Sequence, residues 1–470
     1  MLNRRLGCVV GLVMLSFIGQ TFFAVGGGAS QSTPKLVAND SVDGIGAVRL
    51  NARIDAAKAH PLKARGTPIV LGRRVTVAGD YPFQDSVDAV TAMANYYNNV
   101  LGGVGANYQK GIPGRPIKIV ACTSDVTAAS AQNCSNQLIA LHPLAILDTL
   151  NLTQTLEYAA YAQAGIPVIE ATGLFPSAMS TATVPVVDGG CLTSGVVPMV
   201  YALGTKKYKR VAFITSQNLI TSQLCLNEYQ DVPNQFPNSQ FKFFRYNTTA
   251  PDQLATAEQV VGWHPDAIIE QTSGPNCSQF WSAWKQLGYK GQIFDSAACN
   301  SSTLFASGKS TVVGNIFNFN LDNEQAPTSY FANNPLAVLE FRMLNTAFKD
   351  YKPSETFTSL AQFNATVFMW LAGVLDQLAI HKSPITASSL LSKVRSGQFH
   401  QPLRVPGPNC TIHVSGLTSL CNYTNDLWKL TSVSSNGTGT WKLIATAVNT
   451  QPEFMKLGEG SSGSTTTSGG

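Results

Sequence analysis

The sequence is poor in charged side chains and has no long run of one sign. Only 13% of its 470 residues are Asp, Glu, Lys or Arg, and the formal net charge is +5. No run of Lys and Arg exceeds two consecutive positions. Because nucleic-acid binding depends on dense positive charge, we do not expect nucleic acid as a partner. The hydrophobic content of 44% and the chain length instead favour a folded protein with more than one domain.

Signatures of catalytic and metal sites are also missing. The chain has no Gly-x-Ser-x-Gly, no Walker loop, no His-Glu-x-x-His and no Gly-x-Gly-x-x-Gly motif that opens a helix. Its six histidines are scattered without the spacing of metal ligands, so we expect neither a metal nor another cofactor. An enzyme is therefore not expected, and an exported hydrolase is the least favoured function.

The first thirty residues predict export. Arg4 and Arg5 precede a long apolar stretch, residues 8–25, which is followed by small residues. This order is typical of a signal peptide at residues 1–30. Since the stretch approaches the length that spans a bilayer, an uncleaved membrane anchor stays open as the alternative. We therefore expect a periplasmic or cell-surface protein.

The cysteines are even in number once Cys8 is set aside with the signal peptide. In an exported chain without a Cys-x-x-Cys motif, an even number of cysteines indicates disulfides. Many pairings are formally possible, and proximity along the chain favours four local bridges. The predicted pairs are Cys122–Cys134, Cys191–Cys225, Cys277–Cys299 and Cys410–Cys421.

Residues 115–174 alternate short apolar strands with helices. Apolar runs at 116–121, 144–147 and 165–169 are separated by segments with helical spacing. This alternation is typical of βαβ units in a parallel sheet. Because ligands bind outside the carboxyl ends of such strands, those ends are the first candidates for a binding site. The segments at those ends are 122–125, 148–153 and 170–174.

A second α/β series of similar size follows between residues 194 and 295. Extended segments near 184–188, 312–319 and 402–405 are candidate crossings between the two series. The later segment 360–380 has apolar residues on one side at helical spacing, which is typical of a core helix. Two α/β series joined by extended segments indicate two lobes.

Five segments of these two series form a recognisable ordered set: GIPGRPIKIVACTSD (111–125), AQNCSNQLI (131–139), AGIPVIEATG (164–173), HPDAII (264–269) and WKQLGYKGQIF (284–294). Their order resembles the type I periplasmic solute-binding proteins of ABC importers, in the leucine-binding-protein-like branch that binds branched-chain amino acids and amides. The similarity extends over about residues 69–448.

The resemblance implies an α/β fold in which two Rossmann-like lobes with parallel-sheet cores are joined by three crossover segments. Ligand would be captured between the lobes as they close. Applied to this chain, the resemblance gives lobe one at 69–183 plus 320–404 and lobe two at 184–319 plus 405–448. The residues themselves predict a linker at 31–68, in which 48–59 is a candidate short helix, and a disordered tail at 449–470.

The resemblance also implies ligand contacts on lobe one. The family's serine position falls on Asn151, in the same loop as Thr149, and its threonine position falls on Leu174, with Thr172 and Gly173 beside it. Asn151 can still donate through its amide, and loop N–H groups suit an anion whatever the side chain. A turn or helix-cap role for Asn151 and Thr172 is an equal alternative.

On lobe two, the family's acidic position, which pairs with a ligand ammonium, falls on Ala297. Asp295 is the nearest carboxylate, although its register places it at the strand end. Gln217 and Ser273 follow other strands of this lobe, so we expect them to face the cleft. The resemblance thus implies a site whose ammonium partner is missing or shifted.

These observations predict a secreted ABC transporter substrate-binding protein, a monomer that delivers a small molecule to a membrane permease. A sensory ligand-binding receptor of the same fold is the alternative. Because Ala297 removes a carboxylate and Leu174 a hydroxyl, we expect a neutral or singly charged solute rather than a zwitterionic amino acid. Tyr81 and Phe83 are candidates to cover the ligand from lobe one, with a surface or core role as the equal alternative.

Overall fold

A computed structural model of the chain describes residues 45–461, apart from residues 77–83, 126, 219–221, 224, 227–229, 323–325, 327, 356, 405 and 415. The predicted signal peptide and two predicted ligand contacts, Tyr81 and Phe83, therefore lie outside the described residues.

The first sheet has five parallel strands in the order β2-β1-β3-β4-β5. The strands are β1 (Ile69–Thr76), β2 (Ile117–Ser124), β3 (Ala145–Asp148), β4 (Val168–Thr172) and β5 (Val186–Asp188). In the sequence, the runs at 69–71 and 75–78 are both candidates for the first strand, and the structure has one strand that contains the first run and reaches into the second. Strands β3, β4 and β5 are buried along their whole length, as expected for a parallel sheet with covered faces.

Helices surround both sheets. In chain order, those among the described residues are α1 (Ala47–Ala57), α2 (Gln84–Asn99), α3 (Ala128–Ala140), α4 (Gln154–Gln163), α5 (Pro176–Met179), α6 (Cys191–Met199), α7 (Leu254–Gly262), α8 (Pro275–Gln286), α9 (Ser302–Val312), α10 (Thr328–Asn333), α11 (Pro335–Tyr351), α12 (Ser359–Ile380), α13 (Ala387–Val394) and α14 (Gln451–Ser461).

Helix α12 is the core helix that the apolar pattern predicts. It begins at a Thr358 cap, whose hydroxyl accepts from the Ala361 N–H, and it packs against α2 and β4. Phe363, Trp370 and Val374 are fully buried in the same hydrophobic cluster as the first sheet. By length and composition α12 could cross a membrane, but 78% of its apolar window is buried inside the protein. Its apolar surface is therefore used in packing.

The second sheet has the order β12-β11-β10-β9-β8-β6-β7. Its strands are β6 (Arg210–Ser216), β7 (Gln240–Tyr246), β8 (Ala267–Gln271), β9 (Gln292–Ser296), β10 (Ile316–Phe319), β11 (Thr424–Val433) and β12 (Gly439–Asn449). Strands β6 to β10 are parallel, and β11 and β12 form an antiparallel hairpin at one edge. The sequence also predicts a strand at 411–413, before two further strands near 428–431 and 441–444, and this prediction is wrong, because residues 411–413 form a turn and an irregular segment.

The loop that contains residues 411–413 is attached to the first sheet rather than to the second. Leu420 forms a parallel bridge with Val186 of β5, and Cys421 N–H donates to the Val186 carbonyl at 2.8 Å. Ser419 N–H donates to the Met179 carbonyl at 2.6 Å. The sequence placed both β5 and this loop in lobe two, whereas the structure pairs both with the first sheet.

The two ends of the described chain are folded. Arg53 on α1 is buried, forms an ion pair with Asp376 of α12, and donates to the Gly103 carbonyl at 2.6 Å. The predicted linker therefore contains a helix that is fixed to the first lobe. At the other end, residues 451–461 form α14, with Phe454 4% exposed, where the sequence predicted a disordered tail.

The structure confirms three of the four predicted disulfides. Their Cα–Cα distances are 5.4 Å for Cys122–Cys134, 5.8 Å for Cys277–Cys299 and 4.1 Å for Cys410–Cys421. Cys225 is also disulfide-bonded. The side chain of Cys191 is not among those described, so the Cys191–Cys225 pair stays a prediction.

Candidate functional site

The carboxyl edge of the first sheet has a row of buried polar residues. Ser124 ends β2 and lies opposite Thr76 at the end of β1. Thr149 follows β3 directly, and Thr172 ends the neighbouring strand β4. The Leu150 N–H donates to the Thr172 carbonyl at 3.0 Å, which ties the ends of these two strands together. Because ligands of open parallel sheets bind at this edge, it is the candidate site on lobe one.

Three side-chain hydroxyls of this row have no hydrogen-bond partner among the described residues. They are Ser124 Oγ, Thr149 Oγ1 and Thr172 Oγ1. The three residues are only 1%, 3% and 6% exposed, respectively. A buried hydroxyl that makes no hydrogen bond costs about 1–3 kcal/mol. These hydroxyls are therefore unpaired polar groups at the candidate edge.

The amide of Asn151, in contrast, is used inside lobe one. Its Nδ2 donates to Asp148 Oδ2 at 2.8 Å and to Glu157 Oε2 at 2.6 Å. Its Oδ1 accepts from the N–H and the hydroxyl of Thr153 at 2.8 and 3.0 Å. Asn151 is fully buried. This arrangement is the turn role that the sequence left open as the alternative to ligand binding.

A buried charge network supports the loop that contains Asn151. Arg74 Nε lies 3.6 Å from Asp148 Oδ1 and 3.5 Å from Glu157 Oε2, and all three side chains are buried. Although burial acts to lower it, the pKa of Arg74 is raised by the two carboxylates. Burial raises the pKa of Glu157 in spite of Arg74. The network fixes the backbone that presents Thr149 at the edge.

Gly173 and Leu174 follow β4 and offer no side-chain polar group. The Gly173 N–H donates to the Asp188 carbonyl at 2.9 Å. A Cβ atom added at Gly173 would lie 2.8 Å from Val186 Cγ1, so only glycine fits the close approach of β4 and β5. Leu174 is 2% exposed. The close approach of β4 and β5 thus explains why residue 173 is a glycine.

On lobe two, Asp295 lies in the core and not at the exposed strand edge. It is 2% exposed, and its two carboxylate oxygens accept from Trp281 Nε1 at 3.1 Å and from Asn315 Nδ2 at 2.7 Å. On the neighbouring strand, Glu270 accepts from Trp284 Nε1. Burial raises the pKa of Asp295 to about 6 and that of Glu270 well above its usual value. Both carboxyl groups are engaged beneath helix α8.

The other predicted contacts on lobe two lie after the ends of their strands. Gln217 is exposed after β6, and its backbone N–H donates to the Tyr246 carbonyl at 2.9 Å. Ser273, after β8, and Ala297, after β9, are partly exposed. None of these three positions has a carboxylate. No group of three or more His, Cys, Asp or Glu within the described part of the chain is placed to hold a metal ion.

Sequence reasoning missed the residue that joins the two sheets. Arg404 Nη2 donates to Asp188 Oδ2 at 2.7 Å, to the Thr424 carbonyl at 3.0 Å and to Asn425 Oδ1 at 3.2 Å. Asp188 Oδ1 in turn accepts from Thr193 Oγ1 at 2.8 Å. Segments from the end of β5, from 401–404 and from the start of β11 therefore meet at one guanidinium. The signal that the sequence offered was Arg404 itself, a charged residue inside the candidate crossing at 402–405.

Comparison with known families and structures agrees with this architecture. The sequence profile of a periplasmic binding protein family matches residues 68–416, well over half of the chain. A comparison with curated protein sequences gave no match.

Solved structures of low sequence identity share the fold. A leucine-binding protein from Thermotoga maritima is 15% identical, with a TM-score of 0.57 over 81% of this chain and 98% of that chain. A fatty acid ABC transporter substrate-binding protein from Thermomonospora curvata is 16% identical, with a TM-score of 0.61 over 82% and 94%. A branched-chain amino acid transporter substrate-binding protein from Streptococcus pneumoniae, solved with isoleucine, is 11% identical, with a TM-score of 0.58 over 80% and 99%. The predicted α/β fold with two lobes is confirmed.

Proposed function

Because the chain belongs to the periplasmic binding protein family, we propose that it captures a small organic molecule between its two lobes and delivers it to the permease of an ABC importer. Membership of this family implies an exported protein. The protein acts as a monomer that binds its solute in the cleft and releases it at the membrane.

One observation connects this proposal with particular residues. The hydroxyls of Ser124, Thr149 and Thr172 are buried at the carboxyl edge of the first sheet without a hydrogen-bond partner among the described residues. We assign them to the ligand, with the partly exposed Ser273 and Ala297 on the facing lobe. Asn151 positions the loop through Asp148 and Glu157 and does not contact the ligand.

The charges around the cleft point to the ligand class. A zwitterionic amino acid needs a buried acceptor for its ammonium group, because an unpaired buried charge costs several kcal/mol. Asp295 and Glu270 are both engaged beneath α8, and Ala297 has no carboxylate. A neutral or singly charged solute, such as an amide, a carboxylic acid or an aromatic degradation product, fits this edge better.

The protein binds its solute without changing it. Catalysis requires titratable groups that converge on one site. Asp148 and Glu157 are tied to Arg74 and Asn151, and Asp295 is tied to Trp281 and Asn315. Recovery of the solute unchanged after long incubation with purified protein is the expected result.

The experiment pairs a ligand screen with hydroxyl deletions. Candidate solutes are screened by thermal shift, and the affinity of the best ligand is measured by calorimetry for the wild type, Thr149→Val and Thr172→Val. Each substitution removes one hydrogen bond, worth about 0.5–1.5 kcal/mol, so the affinity should fall about twofold to tenfold. Ser135→Ala is the control, because this buried hydroxyl bonds the Ala131 carbonyl within helix α3. Unchanged affinity in both threonine variants would overturn the assignment.

A further inference from the structure

Lobe two has a concentration of basic residues at the end opposite the carboxyl edge. Residues 206–210 read Lys-Lys-Tyr-Lys-Arg and lead directly into strand β6. Lys206, Lys207 and Lys209 are exposed. Because the carboxyl ends of the parallel strands form the candidate ligand edge, the start of β6 lies at the far end of the lobe. This surface is therefore separate from the proposed ligand site.

The neighbouring strands bring one more lysine to this end. Val211 pairs with Ala267 of β8, and Ala267 pairs with Gln292 of β9, so the three strands start side by side. Lys290, which is exposed, precedes Gln292 by two residues. We call Lys206, Lys207, Lys209, Arg210 and Lys290 together the basic pole.

The basic pole has more positive than negative charge. Among the described residues at these strand starts, the acidic side chain is Asp266, whose Oδ2 accepts from the backbone N–H groups of Lys209 and Arg210, both at 2.9 Å. That carboxylate therefore fixes the backbone. Within the described part of the chain, no ion pair includes any of the five basic side chains. The arrangement leaves local positive charge on a protein with little net charge overall.

An open cavity adjoins the basic pole. It has a volume of about 320 Å³, and its lining combines apolar rings with polar side chains: Pro233, Phe236, Pro237, Phe241 and Phe243 with Gln230, Asn234 and Ser239. Two hydrogen bonds connect it to the pole. Ser239 Oγ donates to the Tyr208 carbonyl at 2.7 Å, and Gln240 N–H donates to the Lys209 carbonyl at 2.7 Å. Apolar and positively charged groups thus share one continuous surface.

We propose that this end of lobe two docks on an anionic phospholipid membrane. The lysines attract the lipid phosphates, and the Phe236 cavity receives apolar groups from the interface. Four of the five basic residues are lysines, which act as point charges toward phosphate and need no planar partner. Because an exported protein meets lipid surfaces rather than nucleic acid, a membrane is the favoured anionic partner. Docking would hold the protein at the membrane where an importer lies.

Vesicle co-sedimentation tests this proposal with the full-length protein. We expect binding to phosphatidylcholine vesicles that contain phosphatidylglycerol, weaker binding in high salt, and little binding to phosphatidylcholine alone. The triple variant Lys206→Gln/Lys207→Gln/Lys209→Gln should lower the partition coefficient at least about tenfold, since each lysine near an anionic surface contributes about fivefold. Phe236→Ser should remove the part of the binding that resists salt.

A second triple variant controls for the loss of charge. Lys63→Gln/Lys110→Gln/Lys118→Gln removes three exposed lysines from lobe one and should leave vesicle binding within about twofold of wild type. Equal losses in the two triple variants would overturn the assignment to this surface. Equal binding to both kinds of vesicle would overturn the electrostatic argument. A third outcome is that the protein binds free polyphosphate or DNA but no vesicles, and that the first triple variant loses this binding. That outcome would assign the basic pole to a soluble polyanion instead.

Discussion

The guanidinium of Arg404 lies 2.7 Å from the carboxylate of Asp188, and this pair joins segments that are 216 residues apart. Asp188 ends the last strand of the first sheet, and Arg404 also donates to the Thr424 carbonyl, at the start of β11 in the second sheet. Next to this pair, the Leu403 N–H donates to Glu340 of α11 at 2.7 Å. If the lobes close on a solute as we propose, their rotation occurs about this connection.

Removal of the guanidinium should destabilise the whole protein. Arg404→Met leaves the Asp188 carboxylate buried without its charged partner, and loss of one partner of a buried pair costs about 3–5 kcal/mol. Arg404→Lys should cost less, because one of the donors is replaced. The free energy of unfolding in urea, measured without ligand, checks both expectations.

A partly exposed ion pair provides the control for Arg404. Lys352 Nζ lies 2.7 Å from Asp88 Oδ1, and the two side chains are 30% and 15% exposed. Lys352→Met should therefore cost below about 1 kcal/mol. Similar losses in Lys352→Met and Arg404→Met would contradict the special role of the pair with Asp188.

Two partly buried carboxyl groups near this connection should make stability depend on pH. Burial raises the pKa of Asp322 to about 7 and that of Asp426 to about 6. The folded state therefore holds these protons more tightly than the unfolded chain does. Their stabilising contribution is complete below the unfolded pKa of 3.8 and is lost as the pH rises through about 6 and about 7. The free energy of unfolding should fall across this window.

Asp322→Asn isolates one of these groups. The amide stays neutral and can still accept from the Tyr330 hydroxyl, so the variant should lose less stability than the wild type between about pH 5 and about pH 8. Thermal melts of the wild type and the variant at these two pH values measure the difference in stability loss. Asp350→Asn changes an exposed carboxyl group and should reproduce the wild-type profile. Parallel profiles for wild type and Asp322→Asn would show that Asp322 does not titrate in this range.

The mature protein should contain four disulfides and no free thiol. The structure contains Cys122–Cys134, Cys277–Cys299 and Cys410–Cys421, and Cys225 is bonded as well. Mass mapping of a non-reduced digest should yield Cys191–Cys225 as the remaining pair. An alkylated cysteine in the non-reduced sample, or a bridge from Cys225 to another partner, would contradict this pairing.

Leucine, isoleucine and valine should bind weakly. Asp295 is the candidate that could restore an ammonium partner, but its two oxygens are occupied by Trp281 and Asn315. Asp295→Ala should therefore lower the stability of lobe two, because it leaves two buried donors unpaired, and should not change ligand affinity. Calorimetry that finds sub-micromolar leucine binding, abolished in Asp295→Ala, would instead identify Asp295 as the ammonium ligand.

Ligand binding should close the two lobes without refolding either. X-ray scattering is expected to give a slightly smaller radius of gyration with a saturating solute than without it, and circular dichroism should give the same helix content. A solute that raises the melting temperature and binds the Thr149→Val/Thr172→Val variant more weakly than the wild type is the suitable ligand for this comparison. Identical scattering curves in the two states would argue against closure.

Local patterns in the sequence determined most of the fold. The apolar runs at 144–147 and 165–169 became β3 and β4, each shifted by no more than three residues, and the second α/β series became β6 to β9. Helix α12 is buried as its apolar stripe predicts. These features are predictable because strand and helix periodicity, and short cysteine separations, are properties of neighbouring residues. The family resemblance arose from the same ordered segments.

Only the tertiary structure decided how the polar side chains are used. Asn151 and Thr172 both follow strand ends, but the Asn151 amide is saturated by Asp148, Glu157 and Thr153, whereas the Thr172 hydroxyl has no described partner. Asp295 follows the strand pattern, yet its side chain points beneath helix α8. A hydrogen bond depends on which distant groups come within about 3 Å, and sequence spacing does not contain that information.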